Sequence, residues 1–262
     1  MKKIAKHICF YYKEDRIQYL NKLIDAASEY DDKVDIFIHT HNHAKWLSEK
    51  IHRHDNLTVE IIKHDLKCHP FFLTWKPRIL MRKQIEEDNY DIYMYVEDDI
   101  LVSNDNIKYW KKYFEVLYKQ QINLGFIRTE TSESGEEFWT DATNGNKNRI
   151  KAQNNILNSS AIDYYAFWIY DKKLTKRMLE VVSRPFGAKI CREKAAWGAN
   201  LHKYDSQYAK EKIFDMTCIP LEDGKLPKGC QVYHLPNNYI KHSMFCKLKI
   251  KDIIDTAMRG RL

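Results

Sequence analysis

The feature that most narrows the fold is a repeated change of hydrophobic period along the first half of the chain, where short β-rich runs give way to amphipathic helical stretches. Residues 7–12 read as a strand. Residues 16–27 follow with Ile17, Leu20, Leu23, Ile24 and Ala27 on one helical stripe, and residues 34–40 return to the strand pattern. Residues 57–62 form a weaker strand, and 75–87 a helix carrying Ile79, Leu80 and Ile85 with Pro77 in its first turn. After a strand at 90–96, Asn104 or Asp105 caps a helix through Trp110, Tyr113, Phe114 and Leu117, and 124–128 resumes the strand pattern. This alternation predicts an α/β fold with a mainly parallel central sheet.

The second half is less regular. Residues 129–155 are rich in Thr, Ser, Glu, Asn and Gly, which fits a long surface loop or mobile lid. Residues 162–170 are apolar and aromatic, and 172–182 have helical spacing at Leu174, Met178, Leu179 and Val182. A helix near 190–203, a strand near 213–219, a turn-rich stretch at 220–229 and a short strand at 232–235 follow. Phe245, Leu248, Ile253, Ile254, Ala257 and Met258 form an imperfect apolar stripe in a basic C-terminal helix, 241–262, better suited to packing than to membrane contact.

A chain of 262 residues suits one large domain. At 44% hydrophobic and 30% charged, with eight Gly and six Pro, it is neither collagen-like, nor a disordered Pro/Gly tract, nor a transmembrane bundle. Met1, Lys2 and Lys3 lead into no apolar h-region, and no long uncharged apolar stretch occurs, so the expectation is a cytoplasmic protein. The six cysteines contain no CxxC pair and read as reduced, structural thiols. A net charge of +7 favours anionic ligands or peripheral association with a membrane surface, although a solvated basic surface needs no function. The 17 tyrosines exceed what a buried core needs, so some are expected to line a polar cleft.

The strongest local signal is Tyr93-Met94-Tyr95-Val96-Glu97-Asp98-Asp99-Ile100, an apolar strand ending in three carboxylates. Strand ends in open α/β sheets face a ligand crevice, and hard oxygen donors there suit Mg²⁺ or Mn²⁺, which neutralise phosphate charge. If strand alternation persists, Glu97 and Asp99 share one direction and Asp98 points elsewhere, which makes Asp99 the leading metal ligand. The plainer alternative is an acidic loop that faces water or caps the next helix. His234, closing the short strand before Leu235-Pro236-Asn237-Asn238, is either a metal ligand or a hydrogen-bonding histidine.

Tyr95-Val96-Glu97-Asp98-Asp99 resembles the aspartate motif of nucleotide-sugar-dependent glycosyltransferases of the GT-A type that carry an acidic variant of Asp-x-Asp. The resemblance extends to Ile8-Cys9-Phe10-Tyr11-Tyr12, to Ala166-Phe167-Trp168-Ile169-Tyr170 and to His234-Leu235-Pro236. It implies a single Rossmann-related domain over 1–262, with nucleotide-sugar binding in 1–128 and an acceptor and catalytic portion in 129–240. It further implies Mn²⁺ or Mg²⁺ held by Asp99, Glu97 and His234, and a donor site including Tyr11, Arg78, Arg82, Glu97, Asp98 and Asp99. The reaction implied is sugar transfer from a nucleotide diphosphate sugar to a hydroxyl of a glycan or glycoconjugate. Here Glu97 stands where the common motif has Asp, whereas Asp99 matches its final Asp.

An inverting transfer needs a carboxylate to deprotonate the acceptor. Glu193, near the start of a helix beside Trp197-Gly198, is the first candidate, with Asp163 and Asp205 as competitors. Each also reads as an ordinary surface acid, and a retaining outcome stays open. Arg78 and Arg82, four residues apart near a helix start, suit a diphosphate, an anionic acceptor or a solvated face. His39, His41 and His43 alternate as a zinc cluster would, but fit a strand-end polar loop better. Trp139 is a candidate sugar-stacking residue on the lid, whereas Phe167 and Trp168 read as core. A metal-dependent phosphohydrolase or nuclease would use the same carboxylates but lacks a second metal cluster. A nucleic-acid-binding module would use the net charge but lacks any recognisable motif, so nucleic acid is not the expected partner.

Overall fold

Strand 92–97 is buried from Ile92 to Val96, as a central strand covered on both faces must be, and the sheet is built outward from it. The computed structural model describes residues 1–41, 44, 46–67, 69–146, 149–159, 162 and 166–259. In chain order the first elements are β1 (Lys3–Cys9), α1 (Ile17–Ser28), β2 (Lys33–His41), α2 (Leu47–Lys50), β3 (Leu57–His64), α3 (Pro77–Glu86), β4 (Ile92–Glu97) and β5 (Ile100–Leu101). Next come α4 (Asn104–Lys119), β6 (Ile122–Leu124), β7 (Ile127–Thr131), β8 (Glu137–Trp139), β9 (Lys151–Gln153) and β10 (Ile156–Asn158). The chain ends with β11 (Phe167–Asp171), α5 (Lys172–Val181), α6 (Cys191–Trp197), β12 (Met216–Pro220), β13 (Gln231–His234) and α7 (Ile253–Arg259). Two units form, one from Met1–Ile100 with Ala166–Ile213 and one from Leu101–Tyr165 with Phe214–Leu262.

The first unit is a five-stranded sheet in the order β3-β2-β1-β4-β11. The pairs β1–β2, β2–β3 and β1–β4 are parallel, and only β11 runs antiparallel, against β4. The fold is thus mixed α/β with a largely parallel, Rossmann-like sheet. α1 forms where the apolar period predicts it, with Ile17, Leu20, Leu23, Ile24 and Ala27 all buried. α5 starts at Asp171, whose carboxylate accepts from the Leu174 N–H at 2.7 Å, and buries Leu174, Met178 and Leu179. α3 departs from its expected face: Ile79 is 65% exposed, and Pro77, Arg78, Met81 and Gln84 turn inward.

α6 ends at Gly198, whose φ of +52° favours glycine. A Cβ there would sit 2.8 Å from Trp168 Cδ1 and 2.9 Å from the Tyr170 hydroxyl. Gly198→Ala is therefore expected to cost about 2–4 kcal/mol, combining overpacking with backbone strain. A urea melt showing a loss below about 0.5 kcal/mol would contradict this packing.

The second unit holds a sheet ordered β6-β12-β10-β9 and a ladder in which β13 pairs parallel with β7 and β7 antiparallel with β8. The helix cap falls at Ser103, before Asn104 and Asp105, because the Asn106 side chain accepts from the Ser103 N–H at 2.6 Å. The excursion read as a lid contributes β8 and β9, and Trp139 is fully buried, so stacking on a sugar is not its role in this structure. Among the described residues of the 241–262 segment, the α-helix spans Ile253–Arg259, with Ile253 and Ala257 buried and Met258 48% exposed. Among the described residues no helix is long and apolar enough to cross a membrane.

Candidate active site at the carboxyl end of the parallel sheet

β1 and β4 lie side by side with Cys9 opposite Glu97. From β1 the chain crosses to β2 on one side, and β4 flanks β1 on the other. The strand order therefore reverses at this pair, and a crevice opens at its carboxyl ends. A cavity of about 320 Å³ occupies that place. Tyr11, Lys13 and Arg16 reach it from the segment after β1, Glu97, Asp98 and Asp99 from the end of β4, and Arg192 from α6.

Strand geometry stops at Glu97, and Asp98 and Asp99 form a turn. The expected alternation therefore lapses, and Asp98 and Asp99 converge on one guanidinium. Arg16 Nε donates to Asp98 Oδ2 at 2.7 Å, and Nη2 donates to Asp98 Oδ1 at 2.6 Å and Asp99 Oδ2 at 2.7 Å. Asp98 and Asp99 are 8% and 9% exposed. Burial lifts the Asp98 carboxyl to about 6, with Arg16 opposing and the Asp99 charge reinforcing the shift. Burial also works against the Arg16 charge, but the two aspartates outweigh it and hold the guanidinium protonated. Arg16 is the N-cap of α1, where the helix dipole disfavours a cation, so these carboxylates are what make the position tenable. The Cys9 thiol is pushed well up by burial and by Glu97 and Asp98, which makes it a poor nucleophile.

The other expected residues are dispersed. Tyr11 is 42% exposed at the cavity, its ring 4.5 Å from that of His41. Glu193 follows Arg192 in α6, pairs with it at 3.5 Å, and has a buried Oε2 without a hydrogen-bond partner among the described residues. Asp205 is committed to the buried Lys194, 2.5 Å away. Asp163 lies outside the described residues, as does His43. Arg78 and Arg82 line a different cavity of the same unit, so the structure does not bring them to the carboxylates.

His234 belongs to the second unit, where its Nδ1 contacts Glu130 Oε1 at 2.5 Å. Glu130 is fully buried and also accepts from the Tyr239 and Ile240 N–H groups at 3.1 and 2.7 Å. Nearby, Arg128 makes a buried fork to Asp141 at 2.6 and 3.1 Å.

Among the described residues, no group of three or more His, Cys, Asp or Glu side chains is arranged to hold a metal ion. Glu97, Asp98 and Asp99 have the hard oxygens that Mg²⁺ or Mn²⁺ prefers, but Arg16 takes both oxygens of Asp98 and one of Asp99. They suit a divalent cation chemically once the guanidinium withdraws. Both His39 ring nitrogens are engaged by other rings: they contact His7 at 3.0 Å and His64 at 2.9 Å, and His7 in turn contacts Gln84 at 3.1 Å. Sequence reasoning missed Arg16 and this histidine chain. The signal for Arg16 was a cation at a helix start directly after β1. No protein-family model and no curated protein matches the chain.

Proposed function

We propose that the protein is a glycosyltransferase that moves a sugar from a nucleotide diphosphate sugar to a hydroxyl of a glycan or glycoconjugate. The observation that carries this reading is the meeting of Glu97, Asp98 and Asp99 with Lys13, Arg16 and Arg192 in one cavity at the strand-order reversal. Three cations beside three carboxylates suit a ligand with a diphosphate at one end and sugar hydroxyls at the other. Lys13 and Arg192 are placed to hold phosphate oxygens, and the exposed Tyr11 ring offers a flat face to a base or sugar.

The acceptor oxygen attacks the anomeric carbon, the bond from that carbon to the diphosphate oxygen breaks, and the electron pair leaves with the diphosphate. A bound Mn²⁺ or Mg²⁺ on Glu97, Asp98 and Asp99 would neutralise that leaving group. Arg16 must release the two aspartates to admit it. Glu193 is the first candidate to take the acceptor proton in an inverting transfer, because its buried Oε2 has no other hydrogen-bond partner among the described residues and Arg192 beside it lines the cavity.

The test is a panel of nucleotide sugars with acceptor glycans, with Mn²⁺, with Mg²⁺ and with EDTA, read by mass spectrometry of the product and by release of nucleotide diphosphate. Metal-dependent transfer from one donor is the expected result. Absence of both donor binding and transfer across the panel would overturn the reading.

A further inference from the structure

The first unit holds a second cavity, about 700 Å³, apart from the acidic one. Its walls come from the segment after β3, the 3-10 turn Pro70–Trp75, the start of α3, and the segment after α5. That turn separates the two cavities, presenting Phe71, Leu73 and Thr74 to the acidic one and Phe72 and Trp75 to this one.

The charge of this cavity is lopsided. Lys67, Lys76, Arg78, Arg82, Arg184 and Lys210 line it, against Asp65 and Glu180, a balance of 6 − 2 = +4. Among the described residues none of the six cations forms an ion pair. Their contacts are with neutral groups: Arg82 donates to the Leu179 carbonyl at 2.9 Å, and Arg184 stacks 4.5 Å from the Phe72 ring. Unpaired like charges around one concavity repel one another, and an anion would relieve that repulsion.

Arg78 supplies the stronger argument. It is 3% exposed, yet among the described residues its only hydrogen bond is a 3.3 Å contact from Nη2 to the Ala195 carbonyl, and Nε and Nη1 have no partner there. Its guanidinium lies 3.9 Å from the Trp75 ring. A buried guanidinium with orphaned donors costs free energy unless a ligand accepts from it. The helix nonetheless turns Arg78 inward and leaves the adjacent Ile79 65% exposed at the same cavity. The Trp75 ring against Arg78 and the Phe72 ring against Arg184 restrict both guanidinium groups, which lowers the cost of ordering them around an anion.

We propose that this cavity is a second ligand site, taking a small organic phosphate or diphosphate. A monocarboxylate would leave most of the six cations uncompensated, whereas a phosphate brings about two charges and three acceptor oxygens. The concave shape and volume match a small molecule. None of the six cations lines the acidic cavity, so the site does not depend on the reading given for that cavity.

The test uses inorganic pyrophosphate on the full chain in EDTA and about 0.15 M KCl, followed by isothermal titration and thermal shift, with the double variant Arg184→Gln/Lys210→Gln and the single variant Arg16→Gln. Expected are saturable binding to the wild type, at least about tenfold weaker binding to the double variant, and unchanged binding to Arg16→Gln. The double variant alters groups outside any ion pair and should melt as the wild type does. No saturable pyrophosphate binding overturns the proposal. So does binding that Arg16→Gln weakens and the double variant does not, because that would place the anion in the acidic cavity.

Discussion

Asp99→Asn is expected to lower sugar transfer at least about a hundredfold with little loss of stability, the scale on which removal of one electrostatic group at a reacting centre is felt. Asn keeps the shape and one acceptor oxygen, so Arg16 retains its fork to Asp98 and a hydrogen bond to residue 99. What is lost is one negative charge in a cavity whose lining is balanced at three acids and three bases. If the charge serves only to hold Arg16, kcat should stay within a few fold. If it holds a cation against the departing diphosphate, kcat should fall while donor KM moves less. Arg16→Gln separates the roles further. With the guanidinium gone, the two buried carboxylates lose the cation that bridges them, so Mn²⁺ should bind at least about tenfold more tightly if it competes with Arg16 for the same oxygens. Near-normal turnover of Asp99→Asn would remove Asp99 from the reacting centre.

How much of this was legible depends on sequence distance. β4 and its three carboxylates were readable because an uninterrupted buried run and its polar end lie within eight residues, 93–100. α1 and α5 were readable because their inward faces are apolar at helical spacing. α3 was not, because its inward face includes Arg78 and Gln84, whose partners are the Ala195 carbonyl and His7. An apolar stripe predicts the buried face only when the core it meets is apolar. A sequence separation of 82 positions between Arg16 and Asp98 hides their fork from any local pattern.

The 129–155 stretch misled in the opposite sense. Its polar composition describes the turns, whereas Trp139 is buried through the antiparallel pairing of β8 with β7. The histidine chain required the sheet order itself, because His7, His39 and His64 come from three neighbouring strands that are not adjacent in sequence. Polar side chains thus set three features of the first unit that periodicity could not: the face of α3, the seat of Arg16 and the interior of the parallel sheet.

Those histidines should make the fold acid-labile well above the usual range for carboxylate-driven unfolding. With Gln84 Oε1 accepting from His7 Nε2, His7 Nδ1 accepts from His39 Nε2, and His39 Nδ1 from His64 Nε2, so all three rings are neutral with the proton on Nε2. Burial pulls His7 down to about 3, sets His39 well below the usual imidazole range, and holds the half-buried His64 at about 4. In the unfolded chain all three titrate near about 6.5, so below that pH the unfolded state binds protons that the folded state refuses. The histidine contribution to stability is therefore whole above about pH 6.5 and drains away as the pH falls. At pH 5 the fully buried His7 costs about 2 kcal/mol from a total that is typically 5–15, and the buried His39 adds a loss of the same sign. Asp98 acts in the other direction: its folded carboxyl, at about 6, gains protons before the unfolded one does and returns about 1 kcal/mol at pH 5. Lys6, lowered by burial to about 7, loses its contribution between about pH 10.5 and 7 and adds little below. With His39 and His64 adding to His7, the expected net loss between pH 7 and pH 5 is thus at least about 1 kcal/mol, measurable by urea unfolding at fixed temperature. His39→Gln should cost about 1–3 kcal/mol at pH 7 and flatten the pH slope by about one proton. Equal stability at pH 7 and pH 5, or imidazole ¹⁵N shifts at His7 and His39 that titrate near about 6.5 in the folded protein, would disprove the neutral chain.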